Sequence, residues 1–203
     1  MFTGLISDVG QVRAAREEGR LRRLRVSCGY DPATIEVGAS IAHAGVCLTV
    51  VGVASAGNRA EIEVDVGAET LGVTTAGRWR VETMLNLERP LRLGDELGGH
   101  MVSGHVDGVA EIIAREDFDG MARFDFRAPA DLAKFIAQKG SVALDGTLLT
   151  VNSVDGDKFS VLLIPHTLAV TTWGERRPGD LVNIEVDQMA RYAARLIGAG
   201  GAG

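Results

Sequence analysis

The chain has 203 residues, 46% hydrophobic and 24% charged, which is ordinary globular composition and enough for one domain or two small ones. Its 21 basic and 27 acidic side chains give a net charge of −6 without a sustained basic run, which argues against nucleic acid as the main partner. No apolar run approaches the ~20 residues that span a bilayer. With no signal-peptide pattern and only two cysteines, we expect a soluble, cytoplasmic protein that binds no membrane.

One sequence pattern occurs twice, about a hundred residues apart: residues 38–50 resemble residues 140–151. Aligning the two copies matches Ser40 with Ser141, Gly45 with Gly146, and Thr49 with Thr150. The same alignment sets Cys47 against Leu148, so the two copies differ at one position of interest. Such self-similarity at a fixed spacing is the signature of a repeated structural unit.

Three more segments recur with nearly the same spacing: 4–12 with 104–112, 69–75 with 166–172, and 86–88 with 183–185. The small drift in spacing fits insertions in hairpin loops. The chain is therefore predicted to be a tandem duplication with its boundary near residues 93–99. The N-terminal unit is predicted to span residues 1–96 and the C-terminal unit residues 97–186.

Within each unit, short segments rich in Val and Ile alternate with Gly, Asn and Asp, which predicts strands separated by turns. The predicted strands are 21–26, 40–53, 59–66, 101–113, 122–127, 141–154 and 159–163. Only short helical pieces are predicted, at 32–37 and 131–138. About six short strands per unit predict an all-β fold in which each half forms a small closed or nearly closed barrel.

The end of the chain has a different pattern. Asp187 is a suitable N-cap, and the residues that follow place apolar side chains at helical spacing: Met189, Tyr192, Ala193, Leu196 and Ile197. An amphipathic helix is predicted over residues 187–198, followed by a disordered Gly/Ala tail at 199–203. The pattern alone leaves two partners open for its apolar face: the helix's own barrel, or another copy of the chain.

Strand alternation also predicts which side chains leave the barrel. In the first unit, Val46, Leu48 and Val50 share one side and belong in the core, so Cys47 and Thr49 point outward. In the second unit, Leu148 and Thr150 point outward by the same parity. Small polar side chains on an outer face are commonly solvent-facing residues, but an outward thiol favours a contact surface or a site.

Several phrases together resemble the riboflavin synthase family, alpha-chain type. They are the start Met1-Phe2-Thr3-Gly4, the phrases at 45–50 and 98–108, and the segments at 86–89, 164–168 and 182–187. The resemblance covers essentially all of the chain. It implies two six-stranded antiparallel Greek-key barrels, and a C-terminal helix that joins three subunits. It also implies dismutation of two molecules of 6,7-dimethyl-8-ribityllumazine into riboflavin and 5-amino-6-ribitylaminouracil, with no metal or cofactor.

The resemblance further implies an active site between the first barrel of one subunit and the second barrel of its neighbour. The residues it assigns to catalysis are Cys47, His105, Ser40, Thr49 and Thr150. The substrate contacts it assigns to the first barrel are Phe2, Thr3, Gly4, Leu5, Ile6, Leu48, Asp65, Val66, Gly67, Ala68, Glu69 and Thr70. The contacts it assigns to the complementary half are Gly104, Val106, Lys139, Asp145, Leu148, Leu149, Leu162, Leu163, Ile164, Pro165, His166, Thr167 and Asp187.

The sequence leaves other functions open. Leu148 departs from the family pattern, which has Ser there, and leucine cannot form a hydrogen bond through its side chain. A lumazine protein of the same fold, which binds the ligand without turning it over, is therefore an alternative. A flavin reductase lacks support because no nicotinamide-binding unit follows the barrels. His100 and His105 lack the helical spacing of a zinc pair, and His43 is expected to be structural or substrate-adjacent.

Overall fold

The computed structural model describes residues 1–97 and 101–200. Its strands, in chain order, are β1 (Asp8–Glu18), β2 (Leu21–Cys28), β3 (Ser40–His43), β4 (Val46–Ala56), β5 (Arg59–Gly67), β6 (Met84–Glu88), β7 (Gly108–Phe118), β8 (Met121–Arg127), β9 (Ser141–Leu144), β10 (Thr147–Asp155), β11 (Lys158–Leu163) and β12 (Leu181–Val186). Its α-helices are α1 (Ala68–Val73), α2 (Pro165–Val170) and α3 (Gln188–Gly200).

The strands form two closed antiparallel barrels of six strands each. In the first, the neighbours run β1-β2-β5-β4-β3-β6, and β6 closes the ring by pairing with β1. The second repeats this order as β7-β8-β11-β10-β9-β12, closed by β12 against β7. Neighbours that are not consecutive in sequence make the connection Greek-key rather than up-and-down. The predicted duplication and the all-β barrel class are confirmed.

The barrel interiors follow from strand alternation. Along β5, residues Ala60, Ile62, Val64 and Val66 are all fully buried, while their neighbours are partly exposed. The second barrel has a more aromatic core, in which Trp173 packs edge-on against Phe124 with ring centres 5.3 Å apart. Burial of each large apolar side chain contributes roughly 1.5–3 kcal/mol, so these interiors are the main source of barrel stability.

Two predicted strands turn out to be hairpins. Residues 40–53 and 141–154 each contain two strands joined by a two-residue turn, Ala44-Gly45 in the first unit and Asp145-Gly146 in the second. The φ angles are 43° and 81° in the first turn and 43° and 79° in the second. Positive φ at both central residues is the mark of a type I′ turn, whose twist matches that of the strands it joins.

The predicted helical pieces are shorter than expected. Each is reduced to a single 3₁₀ turn, at Pro32–Thr34 and Ala133–Phe135. The predicted strand at 101–113 begins only at Gly108, because the preceding residues leave their own barrel.

The two barrels touch through these hairpin turns. A Cβ atom on Gly45 would lie 2.7 Å from the backbone nitrogen of Gly146, and a Cβ atom on Gly146 would lie 2.8 Å from the nitrogen of Gly45. Real Cβ atoms do not approach other atoms this closely. The reciprocal contact places the turns on the approximate two-fold axis that relates the halves, and it requires glycine on both sides.

Beside this contact, two buried asparagines form hydrogen bonds between the barrels. Asn86 of β6 donates through Nδ2 to the Asp145 carbonyl oxygen at 3.1 Å, and its Oδ1 accepts from a backbone N–H of the second unit at 2.8 Å. Asn183 of β12 makes the reverse pair, donating to the Ala44 carbonyl at 2.7 Å and accepting a backbone N–H of the first unit at 2.7 Å. Each amide therefore serves turn groups that would otherwise be buried without partners.

The segment that precedes each barrel joins the two units a second time. Phe2 and Val102 form an antiparallel bridge with N–H···O distances of 2.8 and 2.9 Å. Both side chains are buried, in a small apolar cluster shared with Ala42 and Ala143. The chain start is thus packed at the centre of the molecule.

A buried carboxylate orients each of these segments. Glu88 accepts the Thr3 N–H at 2.6 Å, the Thr3 hydroxyl at 2.7 Å and the Gly4 N–H at 2.9 Å. Glu185 holds the corresponding segment of the second unit through the equivalent three bonds. Burial raises the pKa of Glu88, while the three donors oppose that rise by favouring its charged form.

The C-terminal helix turns its apolar side away from the barrels. Met189, Tyr192, Leu196 and Ile197 are 81%, 66%, 73% and 77% exposed. The helix ends at Gly200, two residues beyond the predicted end, and residues 201–203 and 98–100 lie outside the described part of the chain. His100 and the end of the predicted tail therefore fall outside it. Within the described residues, no helix has the length and apolar character needed to cross a membrane.

His43 breaks the symmetry of the two barrel interiors. Its ring is fully buried, Nδ1 lies 3.0 Å from the Ile41 carbonyl oxygen, and Nε2 has no partner among the described residues. Leu144 occupies the matched position at the end of β9. Burial lowers the pKa of His43 to about 4, because the charged ring cannot be solvated there.

We predict that Gly146→Ala destabilises the fold by about 2 kcal/mol more than Gly156→Ala. Both glycines have positive φ, at 79° and 60°, but a Cβ atom at Gly156 meets open space. The difference in unfolding free energy between the two variants therefore reports the steric clash between the turns. Inserting a methyl group into a tightly packed contact costs about 1–3 kcal/mol. The measurement is the free energy of unfolding in urea. Equal losses in the two variants would contradict the proposed tight contact.

We predict that His43→Leu makes unfolding less sensitive to acid. Between pH 6.5 and 4 the unfolded chain binds a proton that the folded chain excludes, so His43 lowers the free energy of unfolding as the pH falls through this window. Relative to wild type, the variant should gain roughly 2 kcal/mol on going from pH 7 to pH 5. Denaturant unfolding at a series of pH values measures this gain, and parallel stability curves would refute it.

Candidate active site

Cys47 lies on the outer face of β4, as strand alternation predicted. Val46, Leu48 and Val50 are buried in the barrel, whereas Cys47 is half-buried and Thr49 is exposed. Ser40 stands directly opposite Thr49 in the β3–β4 pairing. The hairpin therefore presents a thiol and two hydroxyl groups on one face.

A segment of the second unit covers this face of the first barrel. The Cys47 N–H donates to the Gly104 carbonyl oxygen at 2.9 Å, and a Cβ atom on Gly104 would lie 2.6 Å from the Cys47 Cβ. Val106 packs against the core of the first barrel. His105 lies between these two anchored residues, and its side chain is exposed. His105 therefore sits beside the Cys47 strand although the two are far apart in sequence.

The first residues of the chain cross to the second barrel in the same way. The Leu148 N–H donates to the Gly4 carbonyl oxygen at 3.0 Å, and the Ile6 side chain lies 3.6 Å from the Cβ position of Gly146. Gly4, Leu5 and Ile6 were expected at the first barrel, and Gly104 and Val106 in the complementary half. The structure places Gly4 and Ile6 against the second barrel, and Gly104 and Val106 against the first.

A cavity of about 360 Å³ opens where the first barrel, the crossing segment and α3 meet. Its lining residues are Met1, Cys47, Ser103, His105, Gln188, Arg191 and Tyr192. A volume of this size lies within the range of small-molecule sites. Of these residues, sequence reasoning identified only Cys47 and His105 as site residues.

Arg191 was missed because it lies on the polar side of a helix that the sequence assigned to oligomerisation. In the structure this side faces inward, and Arg191 Nη2 donates to Asp107 Oδ2 at 2.8 Å. The same Asp107 oxygen accepts the Val186 N–H at 2.9 Å. Burial raises the pKa of Asp107, opposed by the backbone hydrogen bond and by Arg191. The aspartate thus ties the inner side of α3 to the segment that carries His105.

The outer face of the second barrel is chemically different. Leu148 is partly buried against the apolar cluster of Phe2, Ala42, Val102 and Ala143. Thr150 is exposed and pairs across the β9–β10 hairpin with Ser141. Cys47 packs against the same cluster from the first unit, so the two matched positions share an apolar neighbour.

Several residues assigned to binding have side chains committed elsewhere. Leu48 and Val66 are buried in the first core, Leu149 and Leu163 in the second, and Phe2 and Thr3 between the units. The Thr3 hydroxyl is itself occupied, because it donates to Glu88 at 2.7 Å and accepts the Leu5 N–H at 3.2 Å. Only the backbones of these residues therefore remain for a ligand.

Asp145 is a structural residue, contrary to its assignment to substrate binding. Its carboxylate is 1% exposed, forms an ion pair with Arg176, and accepts the Asn183 N–H at 2.8 Å. Both oxygens are therefore used to fix the turn at the barrel contact. Burial raises the pKa of Asp145, while Arg176 and the Asn183 bond lower it.

Asp65 is also paired. Arg23 donates to both of its carboxylate oxygens at 2.8 Å, and this fork lowers the pKa of Asp65. Gly67, Ala68, Glu69 and Thr70 follow at the start of α1, where Ala68 and Glu69 are exposed.

The remaining assigned residues lie on the second unit. Leu162 and Ile164 are 36% and 54% exposed at the end of β11. Pro165 and His166 are exposed at the start of α2, with Thr167 half-buried beside them. The exposed Lys139 precedes β9, and Asp187 caps α3 by accepting the Met189 N–H at 2.8 Å.

Within the described ranges 1–97 and 101–200, no three His, Cys, Asp or Glu side chains converge as a metal site would require. The cavity offers a thiol, an imidazole, two hydroxyls and a guanidinium. These groups can move protons and stabilise charge on an organic ligand.

Comparison with known proteins agrees with this picture. The lumazine binding domain family matches residues 3–90 and again residues 103–187. The chain is 58% identical to a riboflavin synthase of Brucella abortus over 97% of its own length and 98% of that protein. It is 39% identical to a riboflavin synthase of Photobacterium phosphoreum and 34% identical to one of Bacillus subtilis, covering 89% and 90% of those proteins.

Solved structures share the fold. LumP complexed with riboflavin superimposes with a TM-score of 0.81 at 21% identity, covering 92% of this chain and all of that one. LumP complexed with 6,7-dimethyl-8-(1′-D-ribityl)lumazine gives a TM-score of 0.79 at 20% identity.

The duplicated Greek-key barrel, with a cavity built from both halves, defines a lumazine-binding type of protein that binds small molecules. The chain belongs to the riboflavin synthase family, and it functions as an enzyme of that family, a transferase.

Proposed function

We propose that the chain converts two molecules of 6,7-dimethyl-8-ribityllumazine into riboflavin and 5-amino-6-ribitylaminouracil by transfer of a four-carbon unit. The observation that carries the proposal is the crossing that brings His105 of the second unit to the cavity beside Cys47 of the first. Support comes from the names of its relatives and from the ligands in the LumP structures.

The chemistry suits these residue types. The methyl group on C7 of the lumazine is acidic, because its anion delocalises into the pteridine ring. A modest base held in position is therefore sufficient for its deprotonation. The Cys47 thiol and the His105 imidazole are the groups of the cavity that can accept a proton or pass one on. Ser40 and Thr49 lie on the same hairpin and offer hydroxyl partners for the ribityl chain.

The second lumazine molecule is assigned to the outer face of the second barrel. Leu148 offers that molecule apolar packing without a hydrogen bond, and the exposed Thr150 and Lys139, at the neighbouring strands β10 and β9, offer polar groups. The two faces therefore divide the work, with proton transfer at the first barrel and positioning at the second. In the positioned molecule, addition of water or hydroxide at C7 leaves the adjacent C6–N5 double bond as the electrophile, and the carbanion of the first molecule attacks at C6.

A homotrimer joined through α3 brings the two faces together. The helix exposes four large apolar side chains on one side, and its opposite side is held to the second unit by Asp107. Large apolar residues grouped on an exposed face mark an interaction surface. In this arrangement the first-barrel face of one subunit meets the second-barrel face of its neighbour. Free cysteines at positions 28 and 47 suit the cytoplasm, where we place the enzyme.

Incubating the purified chain with 6,7-dimethyl-8-ribityllumazine should produce riboflavin, detected by its fluorescence and by chromatography. Cys47→Ala should lower kcat by about 100-fold, the scale expected for loss of a group that acts in proton transfer. The control is Cys28→Ala, which removes a thiol buried in the first core. Tight binding of the lumazine without riboflavin formation would overturn the proposed reaction in favour of a binding protein.

Replacing Leu196 and Ile197 together by Glu should dissociate the assembly. Both side chains are more than 70% exposed on the outer side of α3, where introduced charges would repel one another across an interface. Light scattering coupled to size exclusion should change from the mass of a trimer to that of a monomer. The control is Glu at Arg195, which lies on the polar side of the helix. A double variant that remains trimeric would contradict the role given to α3.

A further inference from the structure

The helix α3 contributes a cation to the candidate active site. Arg191 lines the same cavity as Cys47 and His105. Within the part of the chain that the structure describes, the lining residues able to carry positive charge are Arg191, His105 and the α-amino group of Met1. The Arg191 guanidinium is held by Asp107, and Met189, Leu196 and Ile197 of the exposed apolar set lie outside the cavity lining, whereas Tyr192 lines the cavity beside Arg191.

The guanidinium is positioned with unused hydrogen-bonding capacity. One N–H, on Nη2, donates to Asp107 at 2.8 Å. Its Nε is shielded from solvent and has no hydrogen-bond acceptor among the described residues. A buried donor without a partner costs free energy, which a ligand that supplies an acceptor can recover.

Within the described residues, Asp107 is the only carboxylate that forms an ion pair with Arg191. The Glu185 carboxylate is taken up by Ser103 and Gly104. The Asp187 carboxylate accepts a backbone N–H of α3. Asp107 therefore holds Arg191 in the wall of the cavity, while the Arg191 Nε–H remains without an acceptor among the described residues.

We propose that Arg191 contacts the lumazine bound beside Cys47 and stabilises the negative charge that its ring system gains when the C7 methyl group is deprotonated. This inference rests on the proposed function. The C–H bond breaks, the proton passes to the Cys47–His105 pair, and the electron pair spreads into the pteridine and its carbonyl oxygens. Arg191 stays protonated throughout and donates hydrogen bonds to an oxygen that becomes more negative, as an oxyanion hole does.

Arg191→Met tests this role, because it removes the charge while retaining most of the side-chain length. We expect kcat for riboflavin formation to fall by about 100-fold, as for loss of one oxyanion-hole donor, with KM changed by less than about threefold. Exchange of the C7 methyl protons with deuterated solvent, followed by NMR on the bound lumazine, should slow by a similar factor. Arg191→Lys restores the positive charge without the forked hydrogen-bond donors of a guanidinium. Its kcat should therefore be about tenfold higher than that of Arg191→Met.

The matched control is Arg195→Met, one turn further along the same helix, on an exposed arginine without a partner among the described residues. It should keep the wild-type kcat and exchange rate. Unfolding temperature and mass in solution are measured for every variant. If Arg191→Met fails to fold, the Arg191→Lys variant tests the inference by itself. A kcat about tenfold below that of the wild type, with KM unchanged, would then support the inference, and a wild-type kcat would overturn it.

A folded Arg191→Met enzyme with wild-type kcat and wild-type methyl exchange overturns the inference and leaves the proposed reaction intact. A fall in kcat with unchanged methyl exchange also overturns it, because the charge would then act at another step. If the wild-type chain itself forms no riboflavin, the proposed function fails, and this outcome is distinct from both of the others.

Discussion

The structure depends on one contact, the packing of two hairpin turns against each other between the barrels. Ala44-Gly45 and Asp145-Gly146 approach so closely that neither glycine can carry a side chain. The buried amides of Asn86 and Asn183 complete the contact by serving the turn carbonyls of the opposite unit. Because the contact involves backbone on both sides, it fixes the relative position of the barrels more firmly than side-chain packing alone would.

This fixed geometry makes the crossing of the two entry segments possible. With the barrels held together, the segment before each barrel crosses to the other barrel. The Gly4 carbonyl accepts the Leu148 N–H of β10, and the Gly104 carbonyl accepts the Cys47 N–H of β4. Buried Glu88 and Glu185 set the path of these segments. Each face of the molecule that presents Cys47 or Leu148 is consequently built from both halves of the duplication.

The duplication is symmetric in its backbone and asymmetric in its chemistry. Cys47 and Leu148 both pack against the apolar cluster between the units, but only Cys47 also lines the cavity that holds an imidazole and a guanidinium. Ala44 and Asp145 are likewise matched in position but not in role, since only Asp145 carries an ion pair with Arg176. The two halves thus share a scaffold and differ in a few side chains on their outer faces.

The sequence by itself determined the repeat, the barrel class, the outward parity of Cys47 and the presence of an amphipathic helix. These features are periodic or local, and each can be read from spacing along the chain. The positive φ of Ala44, which divides residues 40–53 into two strands, was less visible because alanine rarely adopts that conformation, whereas Asp145-Gly146 is a common type I′ turn sequence.

Tertiary structure alone decided which side chains meet. In the folded chain Gly4 contacts the second barrel and Gly104 contacts the first. Asp145 is buried in an ion pair with Arg176, and Arg191 lines the same cavity as Cys47. Contacts between residues a hundred positions apart depend on how two finished barrels dock. That docking is set by shape and by backbone hydrogen bonds, which leave no periodic trace in a single sequence.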